Sequence, residues 1–181
     1  MSTLYLIRHG KTEANLQHRY CGSTDLPLSE IGKQELLDLH YGIQNVRFVI
    51  SGMRRTEETL KLLFGNVEYE TEPAFREIDF GVFEMGSYEE LKDREDYRLW
   101  LTGDNMRNVP PGGESGEQMT NRVIQALPGL LKGDTVLVTH GGVIAAIMDF
   151  LFPQEGKSRY EWQPVPGHGY AVTGKTYRPI P

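Results

Sequence analysis

Short runs of consecutive apolar residues alternate along this chain with stretches whose apolar positions recur at helical spacing. Leu4-Tyr5-Leu6-Ile7, closed by Arg8, predicts a strand over residues 3–7. Residues 29–39 predict a helix with Ser29 as its N-cap and Ile31, Leu36, Leu37 and Leu39 on an apolar side. Residues 47–51 predict a second strand, and residues 53–63 a helix stopped by Gly65. A short strand follows at residues 68–70. Thr135-Val136-Leu137-Val138-Thr139 is the clearest buried strand, and residues 142–151 form the helix behind it, terminated by Pro153. Gly169–Thr173 and residues 176–178 predict a closing hairpin around Gly174-Lys175.

The stretch from about residue 64 to 113 breaks this rhythm with many charges, several aromatics and a Pro110-Pro111-Gly112-Gly113 loop. Ser87-Tyr88-Glu89-Glu90 has the capping-box pattern, which places a helix start at Ser87. Ser115-Gly116-Glu117-Gln118 repeats the pattern and opens a helix reaching about Leu127. Strands alternating with helices predict an α/β fold, with a mostly parallel central sheet in a three-layer α/β/α sandwich. The expected organisation is one domain over residues 1–181, with 64–113 as an inserted segment covering one end of the sheet.

Composition narrows the function classes. The 181 residues carry a formal net charge of −6, which argues against a non-specific nucleic-acid binder. A locally basic pocket for a small anion is compatible with it. Cys21 is the one cysteine, so no internal disulfide forms and a reducing compartment fits. The first apolar run is too short for a signal-peptide core, and the longest, residues 143–152, is interrupted by Asp149 and too short for a bilayer. A cytoplasmic protein is the expectation, with no membrane partner.

Two distant segments correspond. Residues 4–7 run into Arg8-His9-Gly10, and residues 136–139 run into His140-Gly141-Gly142. If both strands lie parallel in one sheet, both histidines sit at its carboxyl edge, where open α/β sheets bind ligands. Glycines there let backbone approach a ligand closely. Arg8 offers a guanidinium fork, Thr12 and Asn15 offer smaller donors, Arg19 lies just beyond, and Arg55 begins the helix after the second strand. Either triplet alone arises often by chance, and a histidine at a strand end is more often structural than functional. Together they describe an oxyanion cradle. A zinc site would need a close His or Cys pair or a His-Glu motif on a helix, and the sequence has none, so no metal is expected.

Ordered motifs now carry a resemblance. Arg8-His9-Gly10-Lys11-Thr12 with Asn15, the Ser51–Thr59 run around Arg55, the Phe75–Glu84 run around Glu77, Pro111-Gly112-Gly113-Glu114-Ser115, Arg122, and Val138-Thr139-His140-Gly141-Gly142 resemble the histidine phosphatase superfamily, in the branch with cofactor-dependent phosphoglycerate mutase. The chain is shorter than is usual for the mutases, which resembles the small-molecule phosphatases of that branch, such as the α-ribazole phosphatases. Departures sit at Gly52, where an acidic residue is common, at Thr56 and Glu58, and at Met85 where glycine is usual.

The resemblance implies a metal-independent phosphomonoesterase, with no cofactor, acting on a small phosphorylated metabolite. His9 would be the nucleophile and Glu77 the proton donor. Arg8, Arg55, Asn15 and His140 would surround the phosphoryl oxygens, with Thr12, Arg19 and Gly141 beside them. Glu13, Glu84 and Glu114 compete with Glu77 on spacing alone. Two rival functions stand: mutase-type transfer, and a catalytically silent phosphate-binding or scaffold protein. His18, His40 and His168 read as surface or structural. Trp100, Trp162, Tyr88, Tyr97 and Tyr160 read as core before they read as a lid. The sequence leaves oligomeric state open.

Overall fold

A computed structural model describes residues 2–104 and 106–181. Its sheet has six strands: β1 (Thr3–Arg8), β2 (Arg47–Ile50), β3 (Glu70–Thr71), β4 (Thr135–Thr139), β5 (Gly169–Thr173) and β6 (Thr176–Ile180). The order is β3-β2-β4-β1-β5-β6. The first four pair in parallel, while β5 joins β1 antiparallel and carries β6 with it.

Strand periodicity divides the core in two. Leu4, Leu6, Val49, Leu137 and Val172 point to one face, Ile7, Ile50, Val136, Val138 and Ala171 to the other. Helices α6 (Gly116–Ala126), α7 (Gly141–Leu151) and α8 (Arg159–Trp162) cover the first face, through Met119, Val123, Ile144, Ile147, Met148 and Trp162. Helix α3 (Arg54–Phe64) covers the second through Leu60, with α2 (Glu30–Leu37) packed beside it. All five residues of β4 are buried, as its unbroken apolar run requires of a strand covered on both sides.

Helix α2 corrects one expectation. Leu36 is buried, but Ile31 and Leu37 are 54% and 51% exposed. Gly32 decides the face: a Cβ there would lie 2.2 Å from the Lys11 carbonyl oxygen. That close backbone approach turns Gly32 and Leu36, four residues apart, inward and Ile31 and Leu37 outward. The predicted strand at 68–70 is only the pair Glu70–Thr71, and α7 begins at Gly141, which makes His140 its N-cap.

The helix starts at Ser87 and Ser115 are true capping boxes. The first opens only a single turn, α4 (Tyr88–Leu91), followed by α5 (Glu95–Leu101). Neither α5 nor the short α1 (Glu13–Leu16) is foreshadowed by the apolar pattern. Phe83, Leu91 and Tyr97 form a third small core, packed by Tyr20, Phe80 and Trp100. It ties to the segment after α1 through Tyr20 N to Gly86 O and Met85 N to Tyr20 O. Tyr97 and Trp162 are fully buried; Tyr88 and Tyr160 are exposed. Among the described residues no helix is long and apolar enough to cross a membrane.

Candidate active site

The parallel pairing of β1 with β4 puts Arg8 opposite Thr139, so the next residue of each strand is a histidine at the same edge. His9 N donates to Thr139 O at 2.9 Å. The two rings meet edge to face, centroids 5.1 Å apart. Both are buried, His140 completely.

Hydrogen-bond accounting fixes the protons. His9 Nδ1 lies 2.7 Å from Gly10 O. A carbonyl only accepts, so Nδ1 carries the proton and Nε2 keeps its lone pair. His140 Nε2 lies 2.8 Å from Ser51 Oγ. Thr56 spends its hydroxyl proton on Met53 O, so the arrangement in which all three contacts are hydrogen bonds has Ser51 donating to Thr56 and accepting from His140. In the neutral ring His140 Nδ1 is then a bare lone pair, buried with no partner. Ser51 and Thr56 were absent from the expected site, although Ser51 follows β2 at the same edge.

Two guanidinium groups stand against the rings. Arg55, at the start of α3, is 1% exposed; it donates from Nη1 to Thr24 O and from Nη2 to Gly22 O, each at 2.8 Å. Thr59 donates to Arg55 O and accepts from Gly10 N, which ties α3 to the His9 loop. Arg8 donates from Nη1 to Pro164 O at 2.8 Å. Among the described residues the Nε of each arginine is buried without a partner, as is His140 Nδ1. Burial pushes Arg8 below its ordinary value, opposed by the charge of Glu77.

Glu77 is docked on the second histidine's segment. Its Oε2 accepts from Gly142 N at 3.0 Å and its Oε1 from Ile78 N at 2.9 Å. A Cβ at Gly142 would fall 2.5 Å from Oε1, and one at Gly141 would fall 3.1 Å from Arg8 Cζ. The two glycines therefore admit Glu77 and Arg8 to the first turn of α7, and Gly141 contributes space for Arg8.

The rival carboxylates are occupied elsewhere. Glu84 accepts from the backbone of Gly22, Ser23, Thr24 and Phe80 and from the Thr24 hydroxyl. Burial alone would push Glu84 upward, but these bonds outweigh it and hold the carboxyl below its ordinary value. Glu114 is clamped by Arg122 through two bonds of 2.7 and 2.8 Å. Glu13 is an exposed first-turn residue of α1.

Three expected donors land differently. Thr12 and Asn15 form the capping box of α1: Asn15 Oδ1 accepts from Thr12 N, and the Thr12 hydroxyl is shared between Asn15 Oδ1 and Asn15 N. The hydroxyl is committed there, and Asn15 has its amide nitrogen to offer. Arg19 is a correction: its guanidinium pairs with Glu90 and donates to Met85 O and Gln17, holding the loop before α4 instead of facing the rings. Nothing local in sequence announces a partner 71 residues away. His18, His40 and His168 lie outside the cluster; His168 serves β1 through its backbone carbonyl, which accepts from Arg8 N.

Beside Glu77 opens a cleft of about 380 Å³, lined by Ser23, Met53, Arg76, Asp79, Gly113 and Arg122 among others. Among the described residues no group of three His, Cys, Asp or Glu side chains could hold a metal ion.

The two buried rings predict a pH effect. Burial pushes both imidazoles well below their ordinary value, and the charges of Arg55 and Arg8 push the same way. Below about pH 6.5 the unfolded chain protonates these rings while the folded chain resists. The unfolded state then holds more protons, so stability falls as pH falls through that window and is flat above it. Each ring contributes up to about 1.4 kcal/mol per pH unit. Denaturant melts should show a shallower acid loss for His140→Gln than for wild type, and inorganic phosphate should flatten the wild-type slope. Equal slopes for both proteins would contradict this.

A family model for the histidine phosphatase superfamily, branch 1, matches residues 4–172. The adenosylcobalamin/alpha-ribazole phosphatase of Salmonella typhimurium is 29% identical over 171 residues, 88% of this chain and 84% of that protein. The Probable phosphoglycerate mutase GpmB of Enterobacter sp. strain 638 is 29% identical over 160 residues, 82% of this chain and 74% of its own. The solved structure of TTHB049 from Thermus thermophilus superimposes at a TM-score of 0.75 with 33% identity, covering 94% of this chain and 92% of that one.

Proposed function

The chain belongs to branch 1 of the histidine phosphatase superfamily, and from that membership we propose a phosphomonoesterase that hydrolyses a small phosphorylated metabolite through a phosphohistidine on His9. One observation carries it: beside a ring with a free Nε2 lone pair, three buried nitrogens, Arg8 Nε, Arg55 Nε and His140 Nδ1, have no partner among the described residues. Arg8 Nε and Arg55 Nε are buried donors that lack an acceptor, and His140 Nδ1 becomes a third on protonation, so an oxyanion beside His9 would supply what all three need.

His9 Nε2 attacks phosphorus, and the bond from phosphorus to the ester oxygen breaks in line with it. Glu77 gives its proton to the departing alkoxide. Water then attacks phosphorus, Glu77 takes the water proton, and the N–P bond returns its electrons to Nε2. Gly10 O holds the Nδ1 proton throughout, so the nucleophilic nitrogen never changes. Arg8 and Arg55 neutralise the transferring oxygens. His140 meets an oxygen through Nδ1 by taking up a proton there, which a bound dianion favours.

The deciding experiment incubates the enzyme with a radiolabelled phosphomonoester in EDTA, quenches it with base and maps the label. A base-stable, acid-labile label on His9 with release of inorganic phosphate is expected. Label at another residue, or activity lost to EDTA, would overturn the reading; a positional isomer of the substrate as product would convert it to a mutase. Glu77→Gln should lower kcat/KM, which reports only formation of the phosphohistidine, by about 100-fold or more for aliphatic esters, yet far less for nitrophenyl phosphate, since a good leaving group needs no proton. Equal losses on both would remove Glu77 from the proton-donor role.

A further inference from the structure

The proton donor stands at the boundary between the buried rings and the cleft. A leaving alcohol that takes its proton from Glu77 must therefore occupy the cleft that Glu77 lines. Of the charged side chains around that cleft, three besides Glu77 are already bound. Arg122 spends its guanidinium on Glu114 and on the carbonyls of Ala74, Arg76 and Glu77. Glu114 is the other half of that pair. Asp79 accepts from Ser23 Oγ and Gly81 N.

Arg76 is the exception. Among the described residues its guanidinium makes one hydrogen bond, a long contact from Nε to Ser51 O at 3.4 Å, and no carboxylate pairs with it. Its Nη2 faces Gly52: a Cβ built there would sit 3.6 Å away. Any longer side chain at position 52 would cover the guanidinium, and an acidic one would neutralise it. Gly52 has φ +84, a left-handed conformation that suits glycine, and a Cβ there would also meet Thr71 Cγ2 at 2.6 Å, so a side chain at this position is disfavoured and none covers the guanidinium from it.

We propose that Arg76 selects substrates whose leaving alcohol carries a second anionic group, a carboxylate or a phosphate, seated in the cleft beyond Glu77. This rests on the phosphatase reading above and specifies its substrate class. The paired geometry of a guanidinium suits either anion. Arg76 is exposed, so solvent screens the pair and the expected preference is about tenfold.

A matched three-carbon series tests it: hydroxypropyl phosphate, carboxyethyl phosphate, propanediol bisphosphate and aminopropyl phosphate. Wild type should show kcat/KM for one or both anionic members about tenfold above the neutral one, carried by KM, and lowest for the ammonium member. The two anionic arms separate carboxylate from phosphate. Arg76→Gln should bring the anionic and neutral members within about threefold, Arg76→Lys should keep part of the preference, and Arg76→Glu should move it toward the ammonium ester. Equal loss on every ester in Arg76→Gln would mean that Arg76 only supports Glu77 or the fold, and no anionic preference in wild type would overturn the proposal outright. His9 labelling by hydroxypropyl phosphate keeps the two readings apart. Label without preference sinks only the Arg76 assignment, and no label or turnover with any member sinks the phosphatase.

Discussion

Replacing His9 with asparagine should remove turnover of every phosphomonoester, by on the order of 10⁴-fold or more, while the protein stays folded and still binds phosphate. The expected loss is large because, in the proposed mechanism, the substitution removes the atom that forms the bond, and no neighbour can replace it. His140 is 5.1 Å away ring to ring, but its Nε2 proton points into Ser51, and its free Nδ1 is left for an oxygen. Arg8 and Arg55 are untouched, so inorganic phosphate should still raise the melting temperature of the variant. The base-stable label should vanish with the activity. Residual turnover within about tenfold of wild type would place the nucleophile elsewhere, because a lost nucleophile cannot cost so little.

Glu84→Ala should lower stability and turnover together. Glu84 gathers the amides of Gly22, Ser23 and Thr24 onto one carboxylate, at 2.9 to 3.2 Å, and adds the Thr24 hydroxyl at 2.7 Å. The opposite side of the same loop presents the Gly22 and Thr24 carbonyls to Arg55. Glu84 is thus a positioning residue: it aims Arg55 through three peptide groups without touching the site. Removing it strands several half-buried donors, a cost of about 2–4 kcal/mol. Arg55 should then lose its fixed aim, lowering kcat by about 10- to 100-fold with less change in KM. Glu84→Gln, which keeps the shape and one acceptor oxygen, should fall between. If folded Glu84→Ala retained the wild-type kcat, the loop would be structural and Arg55 independent of it.

The sheet and the two histidines were legible because each rests on a local pattern. The β4 run is apolar without a break, and a strand buried on both faces needs nothing subtler. The capping boxes at Ser87 and Ser115 are likewise written in four consecutive residues. What sequence reading missed depends on contacts between distant segments. Ile31 and Leu37 look like core residues until Gly32 meets the Lys11 backbone. Arg19 resembles a phosphate ligand until Glu90 arrives, and Thr12 resembles a free donor until Asn15 closes the cap. For Glu77, Glu84 and Glu114, three carboxylates of equal chemistry within one stretch, only the partners tell them apart: a helix N-terminus, a loop and an arginine.

The position of β1 has a consequence for how the molecule comes into being. The strand that delivers His9 is an interior strand, flanked by β4 and β5, both made from residues 135 onward. On the ribosome it emerges well before either neighbour, since residues 9–134 are synthesised in between. A fragment that ends before β4 should therefore lack the sheet edge at which His9 and His140 meet. Nascent chains should rely on holding factors over that interval, and activity should appear in one step with the completed sheet.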